Sequence, residues 1–200
     1  MPKLYIVLEG GPGVGKTSIS TLLARLLEPL GHHVCLVHDS SRQIATVLTK
    51  LFGEWHQAPR ELIEYMILGH QVHGLQRCKQ EDADIIILDY NIEAPLAYME
   101  TDGTKYPREL DRLAETLLGD AKTIVLVLER PITYNNDEIR WEPLTKAQKY
   151  SRNLVKRALS LVKRINAKAY IIPEKRTPPE RTLLIATIIK QELEKNERSP

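Results

Sequence analysis

Gly10-Gly11-Pro12-Gly13-Val14-Gly15-Lys16-Thr17 reads G-x-x-x-x-G-K-T, a spacing that holds a polyphosphate. Such a ligand carries several negative charges that must leave water without losing their hydrogen bonds. Closely spaced glycines let the backbone turn sharply and aim its N–H groups inward. The positive end of a following helix adds to that field. Lys16 then reaches the β- and γ-phosphates, and the Thr17 hydroxyl ligates Mg²⁺. The nucleotide-contacting set is therefore Gly10, Gly11, Pro12, Gly13, Val14, Gly15, Lys16, Thr17 and Ser18. A dinucleotide-binding reading fails, because no G-x-G-x-x-G register fits Gly10 to Gly15.

Other residues could complete the chemistry. Asp89 ends the apolar run from Ala83 to Leu88. A carboxylate there holds Mg²⁺ beside Thr17, or else caps a turn. The next residue is Tyr90, where ATP hydrolases commonly place a water-activating glutamate, and this leans toward transfer to a bound acceptor. Asp89-Tyr90-Asn91-Ile92 is not D-x-x-G, and the chain has no N-K-x-D, so guanine-nucleotide switches are disfavoured. Asp39 ends a second apolar run. It could accept the proton of an acceptor hydroxyl, or cap the helix that opens at Ser40. Arg42, one turn into that helix, could anchor a substrate phosphate or ribose, or be solvated. Arg130 and Arg140 flank a polar loop from Ile132 to Trp141, where arginines could stabilise a transferring phosphoryl group. Gln71 could hydrogen-bond a base or amide edge. Tyr65, Tyr98 and Trp141 could stack on a ring, with core packing the simpler reading for each.

The elements that must position these residues follow from periodicity. Leu4 to Leu8 reads as a buried strand leading into the glycine-rich turn, and Ile19, Leu22, Leu23, Leu26 and Leu27 then fall at helical spacing. Further strands are expected at 33–37, 83–88, 123–128 and 169–172. Helices are expected at 40–52, 59–80, 93–99, 107–118 and 145–165, with a last one opened by the capping box Thr177-Pro178-Pro179-Glu180. In the helix at 59–80 the expected buried set is Leu62, Tyr65, Met66, Leu68, Val72 and Leu75. Strands alternating with helices predict an α/β fold, a doubly wound five-stranded parallel sheet with its functional loops at the strand C-terminal ends. Residues 1–195 are expected to form one domain with a lid around 131–144, and 196–200 a frayed tail.

Two hundred residues suit one domain, and the net charge of +2 shows no global attraction to polyanions. Cys35 and Cys78, the only cysteines, lie far apart without a C-x-x-C, so disulfide and zinc-ribbon readings are poor. The cluster His32, His33, Cys35 and His38 has no ligand spacing, because a strand sends neighbours to opposite faces. The N-terminus does not read as a signal peptide, and no apolar stretch is long enough to span a bilayer. A soluble cytoplasmic protein is expected. The basic run containing Lys146, Lys149, Arg152, Lys156, Arg157, Lys163 and Arg164 reads as a solvated helix face, and nucleic acid is not expected as a partner.

Four stretches carry a family resemblance: Gly10 to Thr17, Asp39-Ser40-Ser41-Arg42, the strand ending at Asp89, and Asn136-Asp137-Glu138-Ile139-Arg140. With them the chain resembles the P-loop nucleoside and nucleotide kinase group. The likeness is nearest to AAA-like kinase domains related to bacterial nicotinamide riboside kinases, with thymidylate and deoxynucleoside kinases further off. The resemblance implies ATP with Mg²⁺, an acceptor site between the second strand and the long helix, and a lid carrying Arg140. Many relatives have Asp-Arg where this chain has Asp89-Tyr90, which leaves the acceptor open. The expected function is phosphorylation of a nucleoside, nucleotide or similar ribosyl compound. Catalysis would fall to Lys16, Asp39, Arg140 and Arg130, metal binding to Thr17 and Asp89, and substrate binding to Asp39, Arg42 and Gln71. The alternatives are a nucleotide-dependent switch and a polynucleotide 5′-kinase. Folds of this kind can form homodimers through their helices, and no apolar stripe here singles out a dimer face.

Overall fold

The computed structural model describes residues 4–129, 142–174 and 177–197. Arg130, Arg140, Trp141 and nearly all of the expected lid lie outside the described residues. The sheet has five parallel strands: β1 (Leu4–Glu9), β2 (Val34–Val37), β3 (Ile85–Leu88), β4 (Lys122–Leu128) and β5 (Lys168–Ile172), in spatial order β2-β3-β1-β4-β5. The helices are α1 (Lys16–Leu27), α2 (Ser41–Phe52), α3 (Arg60–Gln80), α4 (Ala94–Thr101), α5 (Leu113–Leu118), α6 (Leu144–Arg164) and α7 (Pro178–Glu197). This is the doubly wound arrangement expected from the alternation of strands and helices. α7 extends through Glu197, two residues past the expected end of the domain.

Side-chain alternation along the strands divides the core in two. Leu4, Ile6 and Leu8 join Ile19 and Leu23 of α1 and Ile185 and Ile189 of α7 on one face. Tyr5 and Val7 join Leu68 and Leu75 of α3 and Ala158 and Leu161 of α6 on the other. β1 and β3 are buried along their whole length, because helices cover both faces of a parallel sheet. β5 is an edge strand, and its Ile171 is exposed.

Three expectations are corrected. First, Leu62 and Tyr65 of α3 are exposed, and the buried face carries Ile63, Glu64, Leu68, Gln71, Leu75 and Cys78. The expected Leu68 and Leu75 are buried and Met66 and Val72 pack against the core, but Leu62 and Tyr65 were misplaced because the buried face also contains two polar residues. Second, Cys35 and Cys78 form a disulfide across 43 residues of sequence. α3 packs along β2 and its last turn brings Cys78 beside the strand, so separation in sequence did not measure separation in space. Third, α6 is not simply a solvated basic face. Arg157 pairs with Glu93 (3.4 Å) and Asp111 (2.7 Å), and Arg164 pairs with Glu93 and with Glu115 (2.6 Å). Glu93 is almost wholly buried. Its pKa is pushed up to about 7 by that burial, against the pull of the two guanidinium groups.

The glutamate half of the capping box forms. The Glu180 carboxylate accepts the Thr177 backbone N–H at 2.8 Å and its hydroxyl at 2.9 Å.

Candidate active site

The sheet order reverses direction around β1: the chain runs out to β2, returns to β3, then crosses to β4. A crevice outside the strand C-termini at such a point is where open α/β sheets bind ligands. The glycine-rich loop fills this place, between the end of β1 and the start of α1. Gly15 sits just before α1 with φ of 89°, a left-handed conformation that glycine adopts without strain. A Cβ on Gly10 would lie 2.9 Å from the Leu128 carbonyl oxygen, so the loop can pass β4 only because that position has no side chain.

Lys16 is buried, and its ammonium donates to the carbonyls of Gly10 (2.7 Å) and Gly11 (3.0 Å). It also stands over the Tyr90 ring. Arg181 of α7 braces the loop from behind, donating to the Val14 carbonyl at 3.1 Å and to that of Pro173 at 3.0 Å. Glu9, at the end of β1, accepts the Gly10 N–H at 2.8 Å. Burial raises the Glu9 pKa, opposed by Lys16, the Gly10 N–H and the Asn91 side chain.

Asp89 follows β3 and is fully buried. Burial pushes its pKa up to about 6, opposed first by the Thr17 hydroxyl and then by Lys16, while Asp39 adds to the rise. Thr17, Lys16, Asp39 and Asp89 are thus close enough to feel one another. Both carboxylate oxygens of Asp89 lack a well-aligned hydrogen bond among the described residues. A buried oxygen pair beside a hydroxyl is the donor set that a hard cation such as Mg²⁺ takes. Among the described residues no group of three or more His, Cys, Asp or Glu could hold a metal by itself. An ion here would therefore rest on Thr17, Asp89 and the phosphates.

Asp39 caps α2, one of the two roles foreseen for it. Its Oδ1 accepts the Ser41 N–H at 2.8 Å and fixes the start of α2. The residue also lines a cavity of about 200 Å³ that opens beside Gly13–Thr17. Arg42 lines the same cavity from its exposed side. Gln71 is buried with both amide atoms unpartnered among the described residues, one turn of α3 beyond the lining residues Glu64 and Ile67. Ser18 is exposed on the first turn of α1 and lies outside the lining.

The far wall of the cavity was largely missed in the sequence. Arg60 and Glu64 of α3 form an ion pair at 2.9 Å, and Arg60 also pairs with Asp102 at 3.2 Å. The Arg60 guanidinium lies 5.0 Å from the Tyr98 ring centroid and 5.5 Å from that of Tyr150. The Tyr90 hydroxyl donates to that of Tyr98 at 2.7 Å. Glu142 closes the lining from the start of α6. Burial pushes the Glu64 pKa up to about 8, and Asp102, Asp39 and Glu142 raise it further against the pull of Arg60. The available signal was a charged pair at i,i+4 with its glutamate in register with Leu68 and Leu75.

A family profile described as an AAA domain matches residues 5–181. The chain belongs to this AAA domain family. Among characterised proteins it is similar to the thymidylate kinase of Clavibacter sepedonicus, 32% identical over 141 residues, which is 65% of each chain. It is also similar to that of Leifsonia xyli subsp. xyli, 29% identical over 137 residues, covering 64% of this chain and 65% of that one. The matched region thus spans about two thirds of those relatives, just under that fraction. In structure it resembles the thymidylate kinase from Ehrlichia chaffeensis, with a TM-score of 0.61 and 15% identity over 94% of this chain and all of that one. The fold is therefore that of a P-loop nucleotide kinase. Among the described residues no helix is long and apolar enough to cross a membrane.

Proposed function

We propose that this AAA domain protein is an ATP-dependent kinase that phosphorylates a small ribosyl acceptor, a nucleoside or nucleotide. The observation that carries the reading is one cavity lined both by the phosphate loop, Gly13 to Thr17, and by Asp39, Tyr98 and the Arg60–Glu64 pair. Donor and acceptor can meet there without crossing water. The similarity to thymidylate kinases supports the reaction class, and the likeness to nicotinamide riboside kinase domains belongs to the same proposal.

In this reading the loop N–H groups and Lys16 hold the triphosphate. The acceptor hydroxyl oxygen bonds to the γ-phosphorus as the bond to the β–γ bridging oxygen breaks. The hydroxyl proton passes to Asp39, and ADP leaves with the bridging oxygen. Thr17 and Asp89 would hold Mg²⁺, which when bound neutralises charge on the phosphates. Lys16 must leave the Gly10 and Gly11 carbonyls to reach them, and its place over Tyr90 keeps it near. The roles given to Arg130 and Arg140 rest on sequence alone, as do a cytoplasmic location and a homodimer.

Coupled ADP release tests this reading, screened across nucleosides, nucleoside monophosphates and nicotinamide riboside with ATP and GTP as donors. Acceptor-dependent release supports a kinase. Acceptor-independent turnover would point instead to a nucleotide-driven switch.

A further inference from the structure

The acceptor half of the cavity has a distinctive charge arrangement. Lys16 belongs to the donor phosphates. Among the described residues the remaining lining carries the carboxyl groups of Asp39, Glu64 and Glu142 against the guanidinium groups of Arg42 and Arg60. Arg60 is already matched twice, by Glu64 at 2.9 Å and by Asp102 at 3.2 Å, and lies beside the paired Tyr98 and Tyr150 rings. A phosphate on the acceptor would have to compete with two carboxylates for this guanidinium. It would also lie in a field that already disfavours negative charge: Asp102, Asp39 and Glu142 each hold Glu64 toward its protonated form. The residue after Asp89, which faces Lys16 from the acceptor side, is the uncharged Tyr90. Apart from Ser41, the rest of the acceptor wall among the described residues is apolar or aromatic, including Ile63, Ile67, Trp55 and Tyr98. Such a surface receives a flat ring, and its carboxyl groups receive hydroxyls.

We propose that the acceptor is a ring-bearing polyol without a phosphate, a nucleoside-type compound that offers a hydroxyl to Asp39, and not a nucleoside monophosphate. This rests on the kinase reading above and narrows it. The ring lies against Tyr98 and the isoleucines of α3. The carboxyl groups of Glu64 and Glu142 accept or share the hydroxyl hydrogens.

The test compares matched pairs, adenosine, cytidine and thymidine against their own 5′-monophosphates, with the whole chain, ATP and Mg²⁺. Product is read directly as the phosphorylated acceptor. For at least one base the nucleoside is expected to exceed its monophosphate in kcat/KM by about 100-fold or more, the direction a like-charge penalty gives. Glu142→Gln and, independently, Asp102→Asn remove a carboxylate while keeping its shape, the second from one side of Arg60. In either variant the ratio should narrow by about tenfold through better use of the monophosphate. Equal or better use of monophosphates overturns this inference and leaves the kinase reading intact. Product from neither class, with ATP bound, overturns the kinase reading and this inference with it.

Discussion

The Lys16 ammonium stands 4.5 Å from the centroid of the Tyr90 ring. Tyr90 in turn shares a hydroxyl hydrogen bond with Tyr98 on the acceptor wall. The donor lysine and the acceptor pocket are therefore joined through one aromatic side chain. Tyr90→Phe keeps the ring and loses the hydroxyl, so it should raise acceptor KM by a few-fold and leave ATP affinity unchanged. Tyr90→Leu also removes the cation–π contact, worth about 0.5–2 kcal/mol, and should weaken ATP binding as well. Titration of ATP binding beside acceptor kinetics separates the two effects. Identical behaviour of both variants would disconnect Tyr90 from Lys16.

Arg181 ties α7 to the phosphate loop through the Val14 and Pro173 carbonyls. Arg181→Met keeps much of the stem and removes the donors. Losing charged hydrogen bonds to buried carbonyls should cost about 2–3 kcal/mol of stability. ATP affinity should fall too, because the loop loses its brace. Denaturant unfolding and ATP titration check both. Unchanged ATP affinity would make Arg181 purely a fold residue.

Much of this organisation was legible in the sequence, and the misses share a cause. β1, β3 and β4 announced themselves because strands buried on both faces are nearly continuous apolar runs. The glycine loop did so because its spacing is demanded by phosphate geometry. Asp39 and Asp89 were found as residues that end strands. Arg60 and Glu64 were not, since a polar residue on a buried helix face looks like any surface residue until the helix is docked. Cys35 and Cys78 illustrate the same limit, for their pairing depends on how α3 returns along β2. Gln71 was noticed on α3, yet its place below the cavity follows from packing alone.

Glu64 should make stability depend on pH. Its folded pKa, pushed up to about 8, lies above the ordinary carboxylate value of 4.5. The folded chain therefore holds this proton more tightly than the unfolded chain does. The contribution is fully present below the unfolded value and is lost as pH rises through about 8. One such group gives a slope of at most about 1.4 kcal/mol per pH unit in that window. Arg60, Asp102, Asp39 and Glu142 face it. Denaturant unfolding across the window should show stability falling toward alkaline pH, with a flatter profile in Glu64→Gln. An equal slope in that variant would exclude Glu64 as the source.

The Cys35–Cys78 bridge fastens the strand that leads to Asp39 to the helix that carries Arg60 and Glu64. Closing a loop of this length stabilises a fold by about 2–4 kcal/mol. Cys35→Ala with Cys78→Ala should lower the unfolding free energy by that amount and the midpoint with it, and a reducing agent should do the same to the parent chain. Mass measurement with thiol labelling confirms the bridge. If reduction leaves the midpoint unmoved, the bridge contributes nothing to the frame of the site.

The most direct test of the account is phosphoryl transfer by Asp39→Asn. Asparagine keeps an oxygen for the Ser41 N–H, so the start of α2 survives, while the proton acceptor is lost. With a responsive acceptor, transfer should fall by about 100-fold or more while the Kd for ATP stays within a few-fold of the parent value. Parent-like transfer, or a defect confined to ATP affinity, would contradict the claim that the phosphate loop delivers its phosphoryl group to an acceptor held at Asp39.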